Sequence, residues 1–229
     1  MKKTAFAVAS AGLLLAAAPA AANDLGYGFS WSANASVTSD YLFRGFSETR
    51  GNPAFQGGFD IAHESGFYIG NWNSSVNFGD DDPAYVEMDV YGGFAFKPIP
   101  AVTLDLGAVR FYYPNSRSIE YTEYYVGAAS EYRDLSGDLY VYYSDDYIAS
   151  DESGVVIELN LTHALPYNTY VTGQFGYVDS DAFEPDDDSY VYYGLGAGVE
   201  YAGLDFSVLW ADQDLDRRSR WAFAVSTEF

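Results

Sequence analysis

Hydrophobic residues in this chain alternate rather than cluster, and that pattern limits the fold more than any other feature. The last nine residues show it most plainly. Trp221, Phe223, Val225, Thr227 and Phe229 fall on one face, with Ala222, Ala224, Ser226 and Glu228 on the other. A two-residue period is a β-strand with one apolar and one small or polar face. Eleven more such segments precede it, near 27–43, 53–63, 67–78, 85–96, 102–113, 119–132, 138–147, 155–162, 169–178, 191–201 and 204–210. In the clearest, Val155, Ile157, Leu159 and Leu161 alternate with Val156, Glu158, Asn160 and Thr162. The segment at 67–78 sets Tyr68, Trp72, Val76 and Phe78 against Asn71, Asn73 and Asn77. The one at 119–132 is rich in Tyr, and its phase stays open.

The connections sort into two alternating kinds. Short ones fall at 64–66, 97–100, 134–137, 164–168 and 202–203; longer polar ones fall at 44–52, 79–84, 114–118, 144–153, 179–189 and 211–219. This predicts an all-β fold, a transmembrane antiparallel up-and-down β-barrel of about twelve strands with both termini on the periplasmic, short-turn side. A soluble sandwich has no reason to sort its loops this way, and a lipocalin-like soluble barrel is the structural rival. Tyr112, Tyr113, Tyr142, Tyr143, Tyr147, Tyr190 and Phe78 lie at the long-loop ends, and Phe229, Tyr201, Tyr167 and Phe96 at the short-turn ends. Amphipathic rings at both rims suit two membrane interfaces.

Residues 1–22 read as a secretory signal peptide, with Lys2 and Lys3, an apolar Ala/Leu-rich run and a cleavage site at Ala20-Ala21-Ala22. Residues 23–229 then form one barrel domain. The net charge is −22 and becomes about −24 once the two leader lysines are removed. Such a charge excludes nucleic acid as a partner, because phosphate binding needs Lys/Arg patches. The chain has no cysteine, so an exported fold must stand without disulfides, as closed barrels do. The final alternating strand ending in Phe229 resembles the assembly signal of outer-membrane barrels, although Thr227 stands where most such signals carry a larger apolar residue.

Between Val37 and Trp72 the chain reads VTSDYLFRGFSET and then PAFQGGFDIAHESGFYIGNW. These runs resemble the amino-terminal signature of the TorF family of proteobacterial porins. The matching positions are Ser39, Asp40, Tyr41, Arg44, Gly45 and Ser47, followed by His63, Glu64, Ser65, Gly66, Tyr68, Gly70 and Trp72. The resemblance implies a Gram-negative outer-membrane protein and names no solute. Arg44 shares parity with Asp40, and a membrane-level arginine needs a partner: Asp40 itself or another wall carboxylate.

Catalytic chemistry is sparse. His63 and His163 both fall at short turns, and in an alternating strand His63, Glu64 and Ser65 point to opposite faces in turn. The sequence therefore predicts no enzyme and no cofactor. Acidic runs at 80–82, 145–152, 179–188 and 212–216 are expected in extracellular loops, as solvated faces or as sites for divalent cations or lipopolysaccharide. With the apolar face toward lipid, Glu87, Asp89, Asp105, Asp138, Glu158, Glu200 and Asp205 line the lumen. Gly194, Gly196 and Gly198 leave space beside them. The expected function is a narrow, passive, cation-preferring channel for small solutes. The alternative is a closed structural or adhesive barrel with metal- or partner-binding loops.

Overall fold

The structure, a computed structural model, describes residues 22–80, 82–183, 188–215 and 218–229. The body of the expected signal peptide and parts of three acidic loops lie outside the described residues. A short strand β1 (Asn23–Gly26) turns into β2 (Phe29–Thr38), and β3 (Leu42–Phe43) and β4 (Phe46–Ser47) form a small hairpin. Then come β5 (Ala54–His63), β6 (Phe67–Ser75), β7 (Val86–Ile99), β8 (Val102–Tyr112), β9 (Tyr121–Tyr132) and β10 (Leu135–Ser144). β11 (Gly154–Leu165), β12 (Thr169–Ser180), β13 (Ser189–Tyr201), β14 (Leu204–Gln213) and β15 (Arg220–Glu228) complete the chain.

Each strand from β5 to β15 pairs antiparallel with the next, and β2 pairs with both β15 and β5. β2 and β5–β15 therefore make a closed twelve-stranded barrel with no free edge in its wall. Closure runs through the last residue: Phe229 N–H donates to Ala33 C=O at 2.8 Å, and Ala33 N–H to Phe229 C=O at 3.1 Å. Both ends of the described chain lie at the short-turn rim. The turn at Ala202 (φ 55) and Gly203 (φ 80) has two left-handed residues in succession, the twist that joins adjacent strands most tightly. Pro98 is accommodated in β7 where the register slips between Phe96 and Ile99.

The outer face is apolar, as the alternation predicts. Phe55, Phe59, Leu195, Phe223 and Trp221 are among its exposed large side chains. Two expectations about facing are corrected. In β6, Tyr68 and Trp72 turn inward while Phe67 and Ile69 stand outside, because Tyr68 hydroxyl donates to Asp105 across the interior. At the long-loop rim, Tyr112 and Tyr143 do face outward, but Tyr113, Tyr142, Tyr147 and Tyr190 are buried inside the barrel. The short-turn aromatics Phe229, Tyr201, Tyr167 and Phe96 are exposed.

One device recurs across the inner wall. Asp60, Gly70 and Tyr91 are register partners on β5, β6 and β7; Asp105, Gly127 and Tyr140 on β8, β9 and β10; Glu158, Gly176 and Tyr192 on β11, β12 and β13. In each rung the tyrosine lies over the glycine, and its hydroxyl donates to the carboxylate beyond. A methyl on Gly70 would sit 2.3 Å from the Tyr91 ring, so only glycine lets the ring cross the middle strand. Slanted versions join Tyr170 to Asp205 over Gly198 and Tyr68 to Asp105 over Gly93. Five tyrosines and five glycines are placed by this lattice.

Urea unfolding of the barrel in phospholipid vesicles checks the rungs. Tyr91→Phe removes one charge-assisted bond and is expected to cost about 1–2 kcal/mol. Gly70→Ala displaces the ring as well and should cost more than Tyr91→Phe. Equal midpoints for both variants and wild type would contradict the assignment.

Candidate lumen and its internal hairpin

All seven carboxylates expected to line the lumen lie on inward positions, at two levels of enclosure. Glu87, Asp89, Asp105 and Glu158 are buried, at 3, 2, 1 and 3 % exposure, whereas Asp138, Glu200 and Asp205 are half-open. Glu87 accepts from the hydroxyls of Tyr41 (2.7 Å) and Tyr113 (2.6 Å). Asp138 accepts from Asn160 Nδ2 at 3.0 Å, and Glu200 faces Asp205 across the β13–β14 pair. Asp60, which strand parity also sends inward, joins the half-open group, and Glu228 shares that parity but is exposed at the short-turn rim. Of the seven, the first four are enclosed by protein, whereas the other three remain partly open to solvent.

The first loop overturns the expectation that residues 44–52 stand outside the barrel. Segment one ends at Thr38 rather than Phe43, and Thr38 and Ala54 are register partners, so residues 39–53 leave the wall and return at the same rung. In between, the chain folds into the lumen. Ser47 and Thr49 hydroxyls donate to Asp40 Oδ1, and Thr49 Oγ1 accepts from Tyr41 N–H, which ties the two legs of the loop together. At the tip, Arg44 (φ 47) and Gly45 (φ 87) are both left-handed; a Cβ on Gly45 would lie 2.8 Å from Gln213. Of the signature residues, then, Asp40 braces the loop, Gly45 makes its tip, and Arg44 projects from it.

Arg44 forms a two-pronged ion pair with Glu123 on β9, Nη1–Oε1 2.6 Å and Nη2–Oε2 2.7 Å. The guanidinium lies 4.7 Å from the Phe43 ring centre and 5.2 Å from that of Tyr142. The pair is 4 and 1 % exposed. Arg44 thus takes a wall carboxylate, not Asp40. Glu123 escaped the sequence reading because both faces of β9 carry tyrosine: Tyr121 and Tyr125 inside, Tyr124 and Tyr132 outside. Its parity with Tyr121, set by the wish to bury a stacked Phe111–Tyr121 pair (4.5 Å), was the missing signal.

The interior is lopsided. Bulky tyrosines fill it along β6–β10, with Tyr170, Tyr190 and Tyr192 added from β12 and β13, whereas the rest of β13–β15 and β2 presents Gly194, Gly196, Ser207, Ala222, Ala224 and Ser36. This small-residue lane leads to a recess of about 30 Å³, room for roughly one water, beside Thr38, Gln56 and Leu42. It stops where Leu42 packs on Ala211, Ala222 and Leu209.

His63 and Ser65 do meet, with Nδ1 2.7 Å from Ser65 Oγ. The same Nδ1 accepts from Ser65 N–H at 3.1 Å, Gly66 N–H donates to His63 C=O, and the ring packs on Phe29. These contacts close a turn. In the acidic loops, Asp82, Asp146, Asp212 and Asp214 accept from nearby backbone N–H groups. Among the described residues no three His, Asp or Glu side chains are grouped to hold a metal.

Glu48 gives the loop a pH dependence. Burial, together with the charges of Glu87 and Asp40, pushes its carboxyl from an ordinary 4.5 up to about 8, against the opposing pull of Arg44 and Arg220. The folded loop prefers the protonated acid, so its penalty is absent below about 4.5 and grows as pH rises toward 8. Wild type is expected to lose urea stability between about pH 5 and about pH 8 relative to Glu48→Gln. Parallel pH profiles would contradict this.

Comparison with solved structures places the fold among outer-membrane porins. The KdgM porin aligns with a TM-score of 0.61 at 11% identity, covering 86% of this chain and 99% of that one. The NanC porin gives 0.59 at 10%, covering 87% and 98%. KdgM in complex with disordered oligogalacturonate gives 0.58 at 9%, covering 87% and 97%. At such identities the likeness is one of fold. No curated protein matches the sequence. Residues 21–227 match the model of a family described as a bacterial protein of unknown function (Gcw_chp), and the chain belongs to that family.

Proposed function

We propose that the protein is a non-enzymatic outer-membrane channel that passes small cationic or neutral solutes by diffusion through a narrow, acid-lined lumen. The observation that carries this reading is the charge of the inner wall. Asp60, Asp138, Glu200 and Asp205 are partly open and Glu228 is exposed toward the short-turn half, while Arg44 is already neutralised by Glu123 and Arg220, which shares the inward parity of Ala222, lies toward the long-loop end near Glu48. Fixed carboxylates in a confined, low-dielectric passage raise the local concentration of cations and repel anions. The KdgM neighbour has been seen with oligogalacturonate, a polyanion; a wall of this sign disfavours such a solute. Twelve strands lie between the filled eight-stranded barrels and the wide sixteen-stranded porins, which suits a narrow passage.

The remaining parts fit the same picture. Residues 1–22 would direct export and be removed. The β15 strand ending at Phe229 would be read by the outer-membrane assembly machinery, and the apolar outer face would meet lipid and lipopolysaccharide. The signature between Ser39 and Trp72 supports a porin of the TorF type. The filled long-loop half favours a second reading, a closed structural barrel.

Planar bilayers under a KCl gradient separate the two. The refolded protein, its folding verified by heat-modifiable migration, is expected to show discrete openings with a cation-selective reversal potential. Glu200→Gln with Asp205→Asn should move that potential toward zero, whereas Glu87→Gln, sealed beneath two tyrosines, should leave it in place. Folded protein in a silent bilayer would sink the channel reading in favour of the closed barrel.

A further inference from the structure

The geometry points to a gate: the β3–β4 hairpin is a displaceable plug that ends the small-residue lane at Leu42, and the Arg44–Glu123 pair is the latch that holds it. The consequence for transport rests on the channel reading; the displacement itself does not.

Three observations carry it. First, the wall is complete without the hairpin. Thr38 and Ala54 pair directly, β2 also pairs with β15, and the strand pairing of every seam lies outside 39–53, with Ser39 adding a bond to Phe223 C=O beside Thr38. Withdrawal of the loop beyond Ser39 therefore leaves the strand pairing of the wall intact, and it releases Tyr41 hydroxyl from Glu87 and Glu48 C=O from Asn77 N–H. Second, besides the latch the hairpin is held by ring and side-chain packing and by single hydrogen bonds, Tyr41 hydroxyl to Glu87 and Asn77 N–H to Glu48 C=O. β3 and β4 are two residues each, Leu42 rests on two alanines and Leu209, and Phe46 meets Tyr190 edge-on at 5.4 Å. Arg44 is a non-glycine residue held at φ 47, a conformation that relaxes once its side chain is released. Third, the two halves of the latch differ in their freedom. Glu123 is fixed on a wall strand, whereas Arg44 is carried by a loop. A buried charge that loses its partner is strongly destabilised, and here the arginine has a route to water that the wall does not. Loss of the pair is relieved by hairpin exit rather than by unfolding of the barrel.

The absence of cysteine makes a single introduced thiol an unambiguous reporter. Leu42→Cys, at a position 6 % exposed in the closed lumen, is placed in the full chain refolded into phospholipid vesicles and reacted with a membrane-impermeant maleimide. Labelling should be slow in the otherwise wild-type protein and at least about tenfold faster with Glu123→Gln, because opening rises with the lost latch energy. Arg44→Gln, which touches only the loop, carries the same expectation if the wall variant folds poorly. Combining Arg44→Glu with Glu123→Arg restores a pair of reversed polarity and should slow labelling again. Rates that ignore all three changes in heat-modifiable, folded protein would overturn the plug. Because labelling reads the hairpin whether or not the barrel conducts, the two claims fail separately. Latch-dependent labelling in a silent barrel keeps the plug and removes the channel. Conduction with latch-independent labelling does the reverse.

Discussion

The rest of the structure depends on a tyrosine hydroxyl reaching a carboxylate across a glycine. A barrel in lipid turns its apolar side chains outward, so its interior must be assembled from polar ones, and each buried polar group must find a partner. Carboxylates are the hardest to enclose. Here they are stabilised mostly by neutral phenols lying flat over gaps in the neighbouring strand, as in Asp60–Gly70–Tyr91 and Glu158–Gly176–Tyr192. The ring supplies apolar contact and the hydroxyl supplies the bond. The lattice keeps negative charge inside the wall without a matching set of cations, and the electrostatic character of the lumen follows from that.

Against this background the Arg44–Glu123 pair is an exception. It joins residues 79 apart in sequence and is bedded on Phe43, Tyr142 and Tyr147. The rungs bind wall to wall, whereas the loop is tied to the wall by this pair and by Tyr41 hydroxyl on Glu87. The latch is a charge-to-charge contact, and it belongs to a segment whose removal leaves the strand pairing of the wall intact.

Much of the fold was legible in the residues, and for a physical reason. A strand has a strict two-residue period, so the outward set Val191, Tyr193, Leu195, Val199 and the inward set Glu87, Asp89, Tyr91 follow from parity alone. Parity does not give depth. Nothing in the letters separates sealed Glu158 from half-open Asp205; that depends on which tyrosine lies above. Nor does it handle an amphipathic residue. Tyr68 and Tyr140 suit a membrane interface as well as a carboxylate lattice, and only their register partners Gly93 and Gly127 decide between the two. The inward hairpin was hidden for a third reason: a polar loop with glycine reads as solvent-exposed until its distant partner, Glu123, is known.

Proteoliposome swelling with solutes matched in size and differing in charge tests the central claim most directly, that an acid-lined lumen sets what passes. Vesicles carrying the folded protein are compared in isotonic solutions of a neutral hexose, an amino-hexose cation and a hexuronate anion. The account predicts entry of the cationic and neutral sugars and slow entry of the anion, with the difference shrinking as salt rises and screens the wall. Entry of the hexuronate as fast as its cationic counterpart at low salt would contradict it.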